Sequence, residues 1–260
     1  MVITDVLVNL FGADTPALVR LARQLDTADI GALWVTDHFS GAVADRPFSR
    51  DPFVVLGALA STTERVELGV LVANINNRHP VQLASAINSV QSLAPGRVRL
   101  GLGSGAVPGS RFAVEHEAIG TPTMTTEVRR QHLRDNIRAI RAIWRSDTTF
   151  TSPTVSYRGL VAVIDDQPVP RIVVGASAWA TIEVAVQEAD GVNIRLGPSV
   201  PQYVHRLRDL APSTFEISVL TQQSTLPDER VDELERAGID RLIFVADPSL
   251  DAGVFTRSSP

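Results

Sequence analysis

The chain has no cysteine and no lysine. Its 260 residues carry 24 basic side chains, all arginine, against 29 acids, for a formal net charge of -5. Without cysteine there is no disulfide, thiol nucleophile, iron–sulfur cluster or thiolate-bound zinc. Without lysine there is no Schiff base and no phosphate-loop lysine, which argues against pyridoxal-phosphate enzymes and Walker-type nucleotide hydrolases. Five histidines are present, His38, His79, His116, His132 and His205, so candidates for proton transfer are few. No two of them show metal-ligand spacing, and no metal is expected. The mild acidity argues against nucleic-acid binding, which normally needs a basic face. Apolar runs are strand-sized, well short of the ~18 residues a membrane span requires. The first ten residues lack the basic start of a signal peptide, so a cytoplasmic location is the expectation.

What the sequence does contain is alternation. Short β-branched runs at 3–10, 32–36, 66–72, 98–102, 171–174, 192–194, 215–220 and 241–245 read as strands. Between them lie amphipathic segments of helical period at 16–29, 52–62, 80–93, 129–144, 181–189, 200–210 and 229–237, and a short tail follows the last strand. Pro16, Pro52 and Pro80 stand at first-turn positions, with Asp14 or Thr15 and Asp51 as caps for the first two. Val128, Leu133, Ile137, Ile140 and Trp144 are expected to share the buried face of the fourth helix. Eight β/α units in about 250 residues is the count of a (β/α)8 TIM barrel, here a single domain over 1–260. A doubly wound sheet would also alternate, but eight units leave no remainder for a second domain. Two connections are long: 103–127 has little periodicity, and 146–170 has the composition of a small hairpin.

In such a barrel the site lies at the C-terminal strand ends. After the second strand come Asp37 and His38, a pair that could move a proton, orient a cofactor or simply cap a loop. His79 reads as structural, His116 could reach a substrate, and His132 and His205 read as helix-surface residues. After the fourth strand come Gly103, Ser104 and Gly105, where a missing side chain would let backbone approach a flat ligand. Gly175, Ala176 and Ser177 follow the fifth strand and open a helix, which suits either a phosphate or a tight turn with Ser177 as cap. The arginine row Arg129, Arg130, Arg134, Arg138, Arg141 and Arg145 reads as a solvated face, or as a contact for an acidic cofactor tail or partner.

The segments LWVTDHF (33–39), RDPFVVLGALASTTERVELGVLV (50–72) and RHPVQLASAINSVQSLAPGRVRLGLGSG (78–105) resemble the bacterial luciferase-like flavin and deazaflavin oxidoreductases. PRIVVGAS (170–177), ADGVNIRLG (189–197) and AGIDRLIFVAD (237–247) continue the likeness, which covers nearly the whole chain. The resemblance implies a (β/α)8 barrel with coenzyme F-420, or alternatively FMN, at its mouth, and a small-molecule substrate. His38 would stand beside the hydride-carrying carbon, with Asp37 bonding the cofactor or fixing His38. A non-prolyl cis peptide at Leu71–Val72 would back the ring, and Asn74 would lie near its polar edge. Gly103, Ser104 and Gly105 would underlie the cofactor, and Gly175, Ala176, Ser177 and Ala178 would hold its phosphate. Relative to the family the insertions are shortened. Ala106 also stands where the sugar-phosphate dehydrogenases carry a proton-donating glutamate. Together with the missing lysine, this turns the expectation away from sugar phosphates. The resemblance leaves room for a homodimer. An FMN-dependent monooxygenase and a non-catalytic flavin-binding barrel are the competing readings.

Overall fold

Strands covered on both faces read as near-continuous apolar runs, and eight such strands close on themselves here. The computed structural model describes residues 1–223 and 225–246. In chain order the strands are β1 (Ile3–Val8), β2 (Ala32–Val35), β3 (Glu67–Asn74), β4 (Val98–Gly103), β5 (Thr149–Thr151), β6 (Ser156–Arg158), β7 (Arg171–Ala176), β8 (Gly191–Arg195), β9 (Glu216–Thr221) and β10 (Arg241–Ala246). All but β5 and β6 form one closed parallel barrel, sealed by β1 pairing with β10 from Ile3↔Arg241 to Val8↔Ala246. The short β5–β6 pair is the antiparallel hairpin expected in the 146–170 connection. The helices are α1 (Thr15–Thr27), α2 (Pro52–Ala60), α3 (Pro80–Leu93), α4 (Ala113–Ala118), α5 (Thr126–Trp144), α6 (Trp179–Glu188), α7 (Val200–Leu210) and α8 (Asp228–Ala237). None of them is long and apolar enough to cross a membrane. The tail after β10, and Asp247 with it, lies outside the described residues.

Local chemistry sets most boundaries. Asp51 caps α2 by accepting from the N–H groups of Phe53 (2.9 Å) and Val54 (3.1 Å). His79 caps α3: its Nδ1 accepts from Val81 N at 3.2 Å, while Gln82 accepts from His79 N at 3.0 Å. This reciprocal box fixes the first turn and accounts for His79 as a structural residue. Two strands run two residues further at their C-terminal ends than the sequence pattern suggests. β3 continues to Asn74, which pairs with Gly103, and β7 continues to Ala176. Asn74, Gly103 and Ala176 are therefore held by the sheet and not by loops. Val128 is a correction: it is 43 % exposed, because the first turn of α5 stands clear of the barrel and Arg129 takes the inward position.

The barrel interior is layered. At the N-terminal end Arg241 binds Asp5 (3.0 Å) and Glu216 (2.9 Å) and also Glu67 (2.6 Å), and Arg99 binds Glu67 (3.0 Å) and Glu216. Trp34 Nε1 donates to Asp5 at 3.0 Å. Above this floor sit Leu7, Ala32, Trp34, Leu71, Val173, Leu220 and Ile243. Above those, the side chain of Val72 spreads over two glycines. A Cβ on Gly103 would lie 2.5 Å from Val72 Cγ2, and one on Gly175 would lie 2.8 Å from Val72 Cγ1. The room left at these two strand glycines is filled by Val72.

Two guanidinium groups on the floor face three carboxylates, so one acid is under-compensated. Asp5 is the deepest, and burial raises its pKa from 3.8 to about 6 against the opposing pull of Arg241, Trp34 and Arg99. Between about pH 4 and 6 the native state holds a proton that the unfolded chain has lost. That contribution favours folding at low pH and disappears as pH rises through 6, a change of up to about 3 kcal/mol. Asp5→Asn cannot titrate. The stability of the wild type relative to Asp5→Asn, measured by urea unfolding, should therefore fall from pH 4 to pH 7; a constant difference would contradict the assignment. Gly103→Ala should cost about 1–3 kcal/mol of stability in the protein without ligand, from overpacking against Val72. The double variant Gly103→Ala with Val72→Ala should show strong positive coupling in the same measurement. Additive losses would show that Val72 is not what occupies the space.

Candidate active site

His38 follows β2 at the mouth. Its ring lies between Phe11 (centroids 4.8 Å apart) and Phe112 (5.1 Å). Its Nδ1 lies 2.8 Å from Glu115 Oε2, and the other carboxylate oxygen accepts from Ser40 N at 2.8 Å. Glu115 is buried, while His38 keeps 23 % of its side chain exposed. Burial pushes the Glu115 carboxyl up, but the bonds from His38 and from the N–H groups of Ser40 and Phe39 outweigh it and hold it below the usual carboxylate range. Glu115 is therefore ionised. His38 Nε2 has no hydrogen-bond partner among the described residues. The carboxylate that orients His38 thus comes from α4, a helix inside the 103–127 connection, 77 positions along the chain. The sequence offered only the acidic, weakly helical AVEHEA as a sign of it. A cleft of about 380 Å³ opens beside this pair, lined by Phe39, Val43, Val114 and Ile119 together with Asp45 and Arg111.

Asp37 does not orient His38, as the sequence allowed. It is buried and turned to Arg78, whose Nη1 lies 2.9 and 2.8 Å from its two oxygens, and it accepts from Asn74 N at 3.0 Å. Burial holds the Asp37 carboxyl above the usual carboxylate range, against the opposing pull of Arg78 and the Asn74 N–H. The permanently charged guanidinium holds the two together as an ion pair, and Asp37 with Asp51 raises Arg78 in turn. Arg78 also reaches Asp51 at 2.8 Å and lies 4.8 Å from the centroid of the Phe53 ring. It ties the ends of β2 and β3 to the start of α2.

The peptide between Leu71 and Val72 is cis, at the position the resemblance implied. Two residues on, Asn74 Nδ2 meets His116 Nε2 at 2.8 Å, and Asn74 Oδ1 accepts from Asn76 N at 3.0 Å and Asn76 Nδ2 at 3.2 Å. Burial and Arg129 lower His116 against the opposing effect of Glu115, so its ring is neutral. Because Nε2 accepts from the amide, Nδ1 carries the proton, and that atom is buried without a partner. Consecutive residues of α4 thus grip the ends of two strands, Glu115 at β2 and His116 at β3. Asn76 Oδ1, both polar side-chain atoms of Asn77 and Ser110 Oγ are likewise buried and unpartnered.

Ser104 is tied to α5: Arg129 Nε donates to its carbonyl (3.1 Å) and Nη2 to its Oγ (3.0 Å), with a further bond to Gly105 O. Gly105 has φ +79, and a Cβ there would strike Asn76 Nδ2. Gly175 and Ala176 close β7, while Ser177 and Ala178 are exposed ahead of α6. The N-cap is Ala178 and not Ser177, so the first turn of α6 has no side-chain cap. The arginine row is only partly a solvated face: Arg138 and Arg145 are exposed, but the row also makes ion pairs and hydrogen bonds. Arg129 is buried, Arg138 reaches Glu188 (2.9 Å) and Arg141 reaches Asp190 (3.0 Å), forming a seam between α5 and α6. His132 is also not a free surface residue, because its Nδ1 meets Thr154 Oγ1 of the hairpin turn at 3.0 Å.

The model of the luciferase-like monooxygenase family matches residues 9–214. The F420-dependent glucose-6-phosphate dehydrogenase of Kineococcus radiotolerans is 29% identical over 209 residues, 79% of this chain and 60% of that one. The oxygenase component of the flavin-dependent trigonelline monooxygenase of Acinetobacter baylyi is 26% identical over 241 residues, 91% of this chain and 61% of that one. The chain thus spans about 60% of the length of these curated relatives. Among solved structures, an F420-dependent secondary alcohol dehydrogenase in complex with an F420-acetone adduct superposes with a TM-score of 0.81 at 14% identity, covering 97% of this chain and 96% of that one. That likeness is one of fold, a (β/α)8 barrel in both. By its family match over most of its length, the chain belongs to the luciferase-like monooxygenase family.

Proposed function

We propose that the protein is a deazaflavin-dependent oxidoreductase, using coenzyme F-420 to transfer a hydride to or from a small organic substrate. The observation that carries this reading is His38 itself. Its ring is clamped at the barrel mouth with one nitrogen held by an ionised carboxylate and the other without a protein partner. The curated F420-dependent relatives support the choice of cofactor. The mouth also suits such a group. Unpartnered polar atoms on Asn76, Asn77 and His116 lie around the ends of β3 and β4, and the first turn of α6 lacks a side-chain cap. Leu71 and Val72 would back the ring, Asn74 would offer its remaining amide hydrogen, and Gly103, Ser104 and Gly105 would lie beneath. Gly175, Ala176, Ser177 and Ala178 would hold the phosphate. Asp37 would act at one remove, by fixing Arg78 and the Asn74 backbone. When bound, the deazaflavin supplies the hydride acceptor or donor. The chain supplies orientation, exclusion of water and a proton site at His38 Nε2. Ala106 and the absence of lysine favour a substrate other than a sugar phosphate.

An FMN-dependent monooxygenase is the second reading, favoured by the match to the trigonelline enzyme. Titration of the purified protein with F-420 and with FMN, followed by absorbance and fluorescence, decides between them. Tighter binding of F-420 is expected; preference for FMN supports the second reading, and binding of neither overturns both. With F-420 bound, His38→Ala should keep cofactor affinity within a few-fold and lower hydride transfer by at least about 10²-fold. Undiminished turnover would remove His38 from the reaction.

A further inference from the structure

We propose that Glu115 is a positioning residue: it fixes the tautomer of His38 and balances the charge His38 acquires when a proton sits on Nε2. This deepens the reading above and rests on it. An ionised carboxylate has no proton to give and can only accept. The 2.8 Å contact therefore requires the hydrogen of a neutral His38 to be on Nδ1, which leaves the lone pair on Nε2. The ring's second hydrogen bond sets which nitrogen is the proton acceptor, and here Glu115 makes that bond.

Neither partner is free to turn away. Phe11 and Phe112 both pack against the imidazole ring, and Ser40 N–H holds the second oxygen of Glu115. For a substrate oxidised at a hydroxyl-bearing carbon, the hydride leaves carbon for the deazaflavin, the O–H electrons become the carbonyl bond, and the proton goes to His38 Nε2. The imidazolium so formed lies against a carboxylate that is already charged and already in place. Reduction of a carbonyl returns the same proton. Glu115 cannot itself replace the acid absent at Ala106, because it is ionised and its side chain is only 1 % exposed.

The competing possibility is that Glu115 only fastens α4. That helix has an independent anchor, His116 on Asn74 at 2.8 Å, so Glu115→Gln should leave it in place. The test is ¹⁵N NMR of the full chain labelled in its imidazole nitrogens, with His38 assigned by its loss in His38→Gln. In the wild type the neutral form of His38 should be protonated at Nδ1. In Glu115→Gln a mixture of tautomers is expected, and in Glu115→Ala the Nε2-protonated form should dominate. Under F-420 turnover, Glu115→Gln should lower kcat by about 10- to 100-fold with KM nearly unchanged. A wild-type His38 protonated at Nε2 in its neutral form would overturn the proposal without any variant, and so would an unchanged tautomer in Glu115→Gln. If the tautomers shift as expected but His38→Ala still turns over fully, the tautomer assignment stands and the hydride-transfer reading of His38 fails.

Discussion

The ion cluster at the barrel floor is the contact on which the architecture depends. Arg241 and Arg99 lie among Asp5, Glu67 and Glu216, which joins β1, β3, β4, β9 and β10. Two of these strands, β1 and β10, form the seam where the chain closes on itself. A buried network of this kind adds little net stability over an apolar core, yet removing one member strands a buried charge at about 3–5 kcal/mol. Its effect is therefore on register. A one-residue slip of β10 against β1 would turn Arg241 out of reach of Asp5 and reverse the faces of the whole strand. With the floor closed by charges and the middle filled by Leu71, Trp34 and Ile243, open space and reactive groups are confined to the opposite end.

At that end a different charge logic operates. Four titratable side chains, Asp37, His38, Glu115 and His116, lie at one strand end, that of β2, and on one short helix. Each acid faces a group that favours its ionised form, Asp37 with Arg78 against the larger upward effect of burial, and Glu115 with His38 and two backbone N–H groups. His116 is held neutral by burial and by Arg129. The two acids flanking His38, one beside it in sequence and one in space, therefore differ in their work. Asp37 shapes the backbone through Arg78 and Asn74, and Glu115 touches the imidazole.

The barrel was readable from sequence because parallel strands and amphipathic helices each carry their own period. Helices at 80–93 and 200–210 begin and end where the pattern places them, since proline marks each start. The strand-end rule led to Asp37 and His38 without knowledge of their contacts. What sequence could not give were contacts between distant segments. The Glu115–His38 bond spans 77 positions, and α4 is too short to show a period. The glycines were half legible. Gly103 and Gly175 do avoid a side chain, but the group that needs the space is Val72, and nothing local in the sequence says so. The arginine row was open to misreading because helical spacing shows which residues share a face, not what that face meets.

The missing lysine and cysteine acquire a physical meaning at this point. With arginine as the only strong base, the cations at the floor and at the mouth stay charged across any pH at which the protein is folded. They organise space and carry no proton traffic. Asp37 is paired with Arg78, Glu115 is ionised, and His116 is neutral with its remaining nitrogen buried. Of these four groups, His38 Nε2 is the proton site with no partner among the described residues. In the proposed oxidoreductase such a mouth, with no thiol or amine nucleophile in the chain, would orient the redox step while the bound deazaflavin supplied the electrons. The same composition that excludes most enzyme classes is therefore consistent with a mouth arranged around one histidine.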